Sequence, residues 1–105
     1  MQSKTAVEAA NRRKWIFSHI SENLEGIRNA VLKLDNDAKF YLFGSVTAGT
    51  SILSSDIDIL IITELRVEAV ISELWKRGFS DPFEFHVRSQ DYFVLYRNVE
   101  NLTPF

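Results

Sequence analysis

Apolar residues recur every three or four positions from Ile16 through Ile20, Leu24, Ile27 and Val31 to Leu34. That spacing draws one stripe along a helix, predicted from Thr5 to about Leu34. Thr5 and Glu8 have the spacing of a capping box at its start. Two serines and His19 between Ser18 and Ser21 lower helix propensity and mark an expected interruption. Asp35-Asn36-Asp37 is a turn-forming stop. The period then changes. Lys39 to Phe43 reads as a short strand, and the β-branched run Ile57 to Thr63 as a strand buried on both faces, central in its sheet. A second helix is expected from Thr63 or Glu64, with Val67, Val70, Ile71, Leu74 and Trp75 as its apolar face. Lys76-Arg77 suits the negative end of its dipole, and Gly78 its C′ position. After the turn at Asp81-Pro82, Phe83 to Val87 reads as a third strand. Ser89 then caps a short helix through about Asn98, and the tail Asn101 to Phe105 is expected to be mobile. Thr47 to Ser51 reads as a helical turn and Ile52 to Ser55 as the loop leading back to the sheet.

Composition narrows the class without deciding it. At 105 residues the chain is expected to be one domain, 1–105, with apolar content enough for a single core. A net charge of -2 with intermixed signs argues against an extended nucleic-acid footprint. No cysteine is present, which removes disulfides and thiolate metal sites. No apolar run approaches a membrane span, and the first residues lack a signal-peptide core, so a cytoplasmic protein is expected.

The chemistry concentrates between Gly44 and Asp58, where a Gly44-Ser45 turn, a further Gly49 and then Ser55-Asp56-Ile57-Asp58 connect two strand-like runs. Gly lets backbone N–H groups approach phosphate oxygens closely. Asp56 and Asp58 are two apart, so on a strand they share a face and can converge on one or two hard cations.

These residues resemble the signature of the polymerase β-like nucleotidyltransferase superfamily: Gly-Ser, a second Gly, then Ser-Asp-x-Asp. The short chain is similar to its minimal members, the minimal nucleotidyltransferase (MNT) family, over roughly Phe40 to Val87. The resemblance implies an α/β fold, a small mixed sheet with helices packed mainly on one side. It implies a third carboxylate from a later strand; Glu84 is the candidate, in a Pro-Phe-Glu-Phe-His context like that of several minimal members, and Asp81 the competitor. By this resemblance Asp56, Asp58 and Glu84 are the catalytic, metal-binding residues for two Mg²⁺ ions about 4 Å apart. Gly44, Ser45, Gly49 and Ser55 form the nucleotide-binding bend that holds the phosphates of ATP or another nucleoside triphosphate. Many members carry Arg where this chain has Ala48, and many use Asp at the Glu84 position.

The resemblance further implies a HEPN-domain partner and a toxin–antitoxin pair with this chain as antitoxin. Its activity would be transfer of NMP, AMP from ATP in the favoured reading, to a tyrosine hydroxyl of that partner. Two alternatives stand beside it. One is a binding module that neutralises a HEPN protein by contact alone. The other is a transferase subunit acting on a small-molecule hydroxyl. Homo- or hetero-oligomers fit all three. His86 shares a face with Glu84 and is either a group near the metal or acceptor, or a structural histidine. His19 is expected to be structural. Arg12-Arg13-Lys14 is either a solvated helix face or a contact for a nucleotide or partner, and Trp15 a core or edge anchor. The aromatics Tyr92, Phe93 and Tyr96 either pack back on the core or form a docking surface.

Overall fold

The computed structural model of the chain describes residues 2–44, 56–96, 98 and 102–105, with side chains from residue 7 onward. The readings for Ser45, Ala48, Gly49 and Ser55, and the turn and loop between Thr47 and Ser55, fall outside the described residues.

The elements are α1 (Gln2–Ser18), α2 (Ile20–Leu32), β1 (Lys39–Phe43), β2 (Ile57–Ile62), α3 (Val67–Lys76), β3 (Phe83–Arg88), α4 (Gln90–Phe93) and β4 (Thr103–Pro104). The expected long helix divides at His19, whose backbone leaves the helical region at φ -120 and ψ 35. Its ring stacks on Trp15 at 4.4 Å and its Nδ1 lies 2.8 Å from the Trp15 carbonyl oxygen, a structural role. Trp15 is half exposed and serves as an edge anchor. The helix is already formed at Gln2, so Thr5 does not sit at its start. Gln2, Ser3 and Lys4 all tolerate helix, which moves the boundary ahead of the expected capping box. At the other end, Asp35 Oδ1 accepts the Asp37 N–H at 2.9 Å, the turn that stops α2.

The sheet order is β3-β2-β1-β4, with β1 antiparallel to β2 and to β4, and β2 parallel to β3. This is the mixed α/β architecture that the sequence reading implies, with β2 inside the sheet. Alternation splits the sheet into two faces. Phe40, Ile57, Ile59, Ile61, Phe83 and Val87 lie on one face, in a single core with Ile16, Ile27, Val31, Val70 and Leu74 from α1, α2 and α3. Asp58, Leu60 and Ile62 point the other way, opposite Glu84, His86 and Arg88 on β3. The aromatic C-terminal segment lies over this second face, with Phe93 stacked on Tyr41 at 5.1 Å and Tyr96 edge-on to Phe43 at 6.2 Å. Ile59 is fully buried on the central strand, so Ile59→Ala is expected to lower stability by about 3 kcal/mol, read as a lower midpoint in urea denaturation.

Other readings of the sequence also differ in the structure, for identifiable reasons. The second helix begins at Val67, not at Thr63 or Glu64. The Thr63 hydroxyl donates to Asp35 Oδ2 at 2.6 Å and accepts the Leu65 N–H at 3.2 Å, a local turn that competes with helix. Ser89 stands at the N-cap of α4 as expected, but its hydroxyl makes no cap hydrogen bond; Glu64 accepts the Gln90 N–H at 3.0 Å instead. The last helix is regular only through Phe93, and the chain continues in turns as Phe93 and Tyr96 settle on the sheet. The tail is not loose: Thr103 and Pro104 pair with β1, and the Phe105 N–H donates to the Phe40 carbonyl at 3.0 Å. An edge strand accepts Pro104 because the lost donor is not needed there. In α3, Val70 and Leu74 are buried, while Val67 and Trp75 face out, so its apolar face is narrower than its composition implies.

Candidate functional site

The parallel pairing of β2 with β3 sets the geometry. Asp58 lies directly opposite Glu84, and His86 follows two residues on, opposite Leu60. Neighbouring strands are about 4.8 Å apart, so opposed side chains on one face must meet. The Asp58 and Glu84 carboxylates and the His86 imidazole offer ligand atoms all within 4.8 Å of one another. His86 Nε2 is 3.3 Å from Asp58 Oδ1 and 3.8 Å from Glu84 Oε1. His86 and Asp58 are partly buried, with side chains 23% and 26% exposed. Glu84 is more open. The His86 ring meets Phe43 edge-on at 5.1 Å, and Phe43 in turn meets Tyr96. The C-terminal segment thus braces the imidazole from behind.

Gly44 closes the other side of Asp58. Its φ is +83, in the left-handed region, and a Cβ placed there would lie 2.5 Å from Asp58 Oδ2. Any side chain would therefore occupy the space the carboxylate now fills. The glycine at the end of β1 and the second Asp of the Asp-x-Asp pair are held against each other across the β1–β2 pairing, where Phe43 faces Asp58. Gly44 accordingly lies at the acid cluster, while Ser45, Gly49 and Ser55 are not among the described residues.

Asp56 is not part of the cluster among the described residues. It precedes β2, where strand pairing no longer fixes direction, and its Oδ1 lies 3.9 Å from Arg13 Nη2. Arg13 also binds Asp81 through two contacts, Nη2 to Oδ1 at 2.6 Å and Nε to Oδ2 at 3.2 Å. Asp81, the competitor for the third carboxylate, is thus engaged by Arg13, while Glu84 faces Asp58. Arg12 donates to the Gly78 carbonyl at 2.9 Å. The basic cluster of α1 is therefore neither a purely solvated face nor an open anion contact. Two of its three cations fasten α1 to the loop that leads into β3. The sequence signal for Arg13 was absent because its partner is distant along the chain. For His86 a signal existed in the Glu84-x-His86 spacing on a strand.

Two carboxylates and one imidazole at these separations are a donor set for a divalent cation. A cation bonded at about 2.1 Å wants neighbouring ligand atoms roughly 3 Å apart, against the 3.3 Å and 3.8 Å by which His86 Nε2 stands from the two carboxylates. A broad groove lined by Thr63, Arg66, Ser89 and Tyr92 lies at the opposite, carboxyl ends of β2 and β3 and contains none of these acids.

Comparison with known proteins agrees with the fold. The family model described as a nucleotidyltransferase domain matches residues 24–103. A crystal structure described as a "putative nucleotidyltransferase" is 26% identical, with a TM-score of 0.62 over 79% of this chain and 97% of its own. A second structure, from Sulfolobus solfataricus and described in the same words, is 21% identical, with a TM-score of 0.59 over 95% of this chain and 85% of that one. At that identity the second likeness is one of fold. No curated protein matches the chain.

Proposed function

The chain belongs to the nucleotidyltransferase domain family, and from that premise we propose that it transfers AMP from ATP to a tyrosine hydroxyl of a HEPN-domain partner, with Mg²⁺ as metal, and so acts as an antitoxin. The observation that carries the metal-dependent transferase reading is the opposition of Asp58 and Glu84 on adjacent strands, beside a glycine whose added Cβ would displace the Asp58 carboxylate. Acids facing each other on one small surface repel, and a cation relieves that repulsion. When bound, the metal supplies positive charge against the triphosphate and the leaving pyrophosphate.

The protein's own groups divide the rest. Asp58 and Glu84 would hold a cation there, and Asp56 would join them on giving up its long contact with Arg13. The bend at Gly44 admits phosphate oxygens to the backbone. The acceptor oxygen forms a bond to the α-phosphorus as the bond from that phosphorus to the bridging oxygen breaks. Pyrophosphate leaves, and the hydroxyl proton passes to Glu84, whose side chain is open to solvent.

Incubation with ATP, Mg²⁺ and a HEPN-domain partner protein is expected to add one or more AMP masses to that protein, read by intact mass spectrometry. Absence of any gain with all four nucleoside triphosphates would overturn the transfer reading. Ala48 favours one rival, neutralisation by contact alone, because the resemblance places an arginine there in many relatives and its loss weakens triphosphate binding. That rival keeps full protection of cells when the acids are neutralised; transfer loses it.

A further inference from the structure

We propose that His86 is a direct ligand of the cation held by Asp58 and Glu84, and that this position selects a transition-metal ion of the Mn²⁺ class over Mg²⁺. The inference rests on the reading that a divalent cation works at this face, and it assigns the identity of one of the ions. Three observations carry it.

The first is geometric. His86 Nε2 approaches both carboxylates, at 3.3 Å from Asp58 Oδ1 and 3.8 Å from Glu84 Oε1, so the imidazole stands within the cluster and not behind it. The second is orientation. Phe43 packs edge-on against the His86 ring and Tyr96 against Phe43, so one aromatic chain holds the nitrogen toward the acids. The third is the division of Asp58. Its Oδ1 faces His86, whereas its Oδ2 faces the Gly44 bend. One carboxylate thus addresses two neighbourhoods. Among the described residues, the Gly44 side presents a carboxylate oxygen and backbone, which suits the Mg²⁺ that accompanies a nucleotide. The other side offers one nitrogen and two carboxylates.

That difference has a chemical consequence. Mg²⁺ is a hard ion that prefers oxygen and gives up water reluctantly, whereas imidazole favours first-row transition metals, which bind a mixed nitrogen–oxygen site more tightly. A hydrogen-bonded Asp58–His86 pair with no metal role is the competing account, and it predicts no metal–nitrogen bond.

The test uses the full chain without nucleotide, loaded with Mn²⁺ and measured by pulsed electron paramagnetic resonance. The wild type is expected to show hyperfine coupling to a coordinated imidazole ¹⁴N and to bind Mn²⁺ at least about tenfold more tightly than Mg²⁺. His86→Ala is expected to lose the coupling and most of that preference, with Mg²⁺ binding little changed. His19 stacks on Trp15 beyond this cluster, and His19→Ala is expected to keep the coupling. No Mn²⁺ binding, bound Mn²⁺ without nitrogen coupling, coupling that survives His86→Ala, or equal affinity for the two ions would each overturn the inference. The wild-type spectrum alone decides the metal–nitrogen bond if the variant fails to fold. Nitrogen-coupled Mn²⁺ in a protein that transfers no nucleotide would leave this inference standing and remove the transfer reading. Mg²⁺-supported transfer without nitrogen coupling would do the reverse.

Discussion

Asp58→Asn is expected to reduce nucleotidyl transfer by at least about a thousandfold, equivalent to about 4 kcal/mol of lost transition-state stabilisation, while leaving the fold in place. Asparagine has nearly the volume of aspartate but no charge, and its amide presents donors to a cation. Asp58 is the member of the cluster with contacts on both sides, His86 on one and Gly44 on the other. Its neighbours Ile57 and Ile59 are fully buried and point to the opposite face, so the core does not register the change. In the metal-free protein, relief of repulsion with Glu84 offsets the lost His86 contact, and stability should move by no more than about 1 kcal/mol. The rate of nucleotidyl transfer and a thermal melt check the two halves. A rate within about tenfold of wild type would remove Asp58 from the metal site.

Gly44→Ala is expected to lower both stability and rate. A non-glycine residue in the left-handed region costs about 1–2 kcal/mol, and at φ +83 alanine meets that cost in full. Its Cβ would also lie 2.5 Å from Asp58 Oδ2, so the carboxylate must turn away. The combined loss should be about 2–3 kcal/mol in stability and about a hundredfold in transfer, because a displaced ligand no longer meets its partners. Urea denaturation and the transfer rate read these separately. The two substitutions differ in kind: Asp58→Asn removes charge at constant shape, and Gly44→Ala shifts shape at constant charge. A Gly44→Ala protein as stable and active as wild type would show that the bend and the carboxylate are not in the contact described.

The periodicity of the chain carried most of the architecture. β1 spans the residues that alternation assigns to it, β2 lies inside the sheet as its run of β-branched residues requires, and α1 and α2 divide where serines and His19 weaken the helix. Gly78, at φ +91 with its N–H bonded to the Trp75 carbonyl, ends α3 as a C′ glycine should. These features depend on neighbours in sequence, through backbone preference and the side on which successive residues project. Boundaries failed where a side chain from elsewhere competed with the local preference. Asp35 holds Thr63 out of the second helix, and the β1 edge recruits Thr103 and Pro104 from the tail.

The candidate site divides along the same line. Gly44 and Asp58 stand out in the sequence because a glycine bend and an Asp-x-Asp at a strand start each have a local signature, while Glu84 is picked out by the family resemblance, with Asp81 as its competitor. Which of the acids meet, and what else joins them, is a matter of register and of contacts between distant segments. The parallel pairing of β2 with β3 brings His86 to the acids, and the first helix, through Arg13, draws Asp56 and Asp81 the other way. A chain can specify each residue's face through its own period, but the partner on that face comes from a strand or helix tens of residues away. Only the folded structure settles that distance.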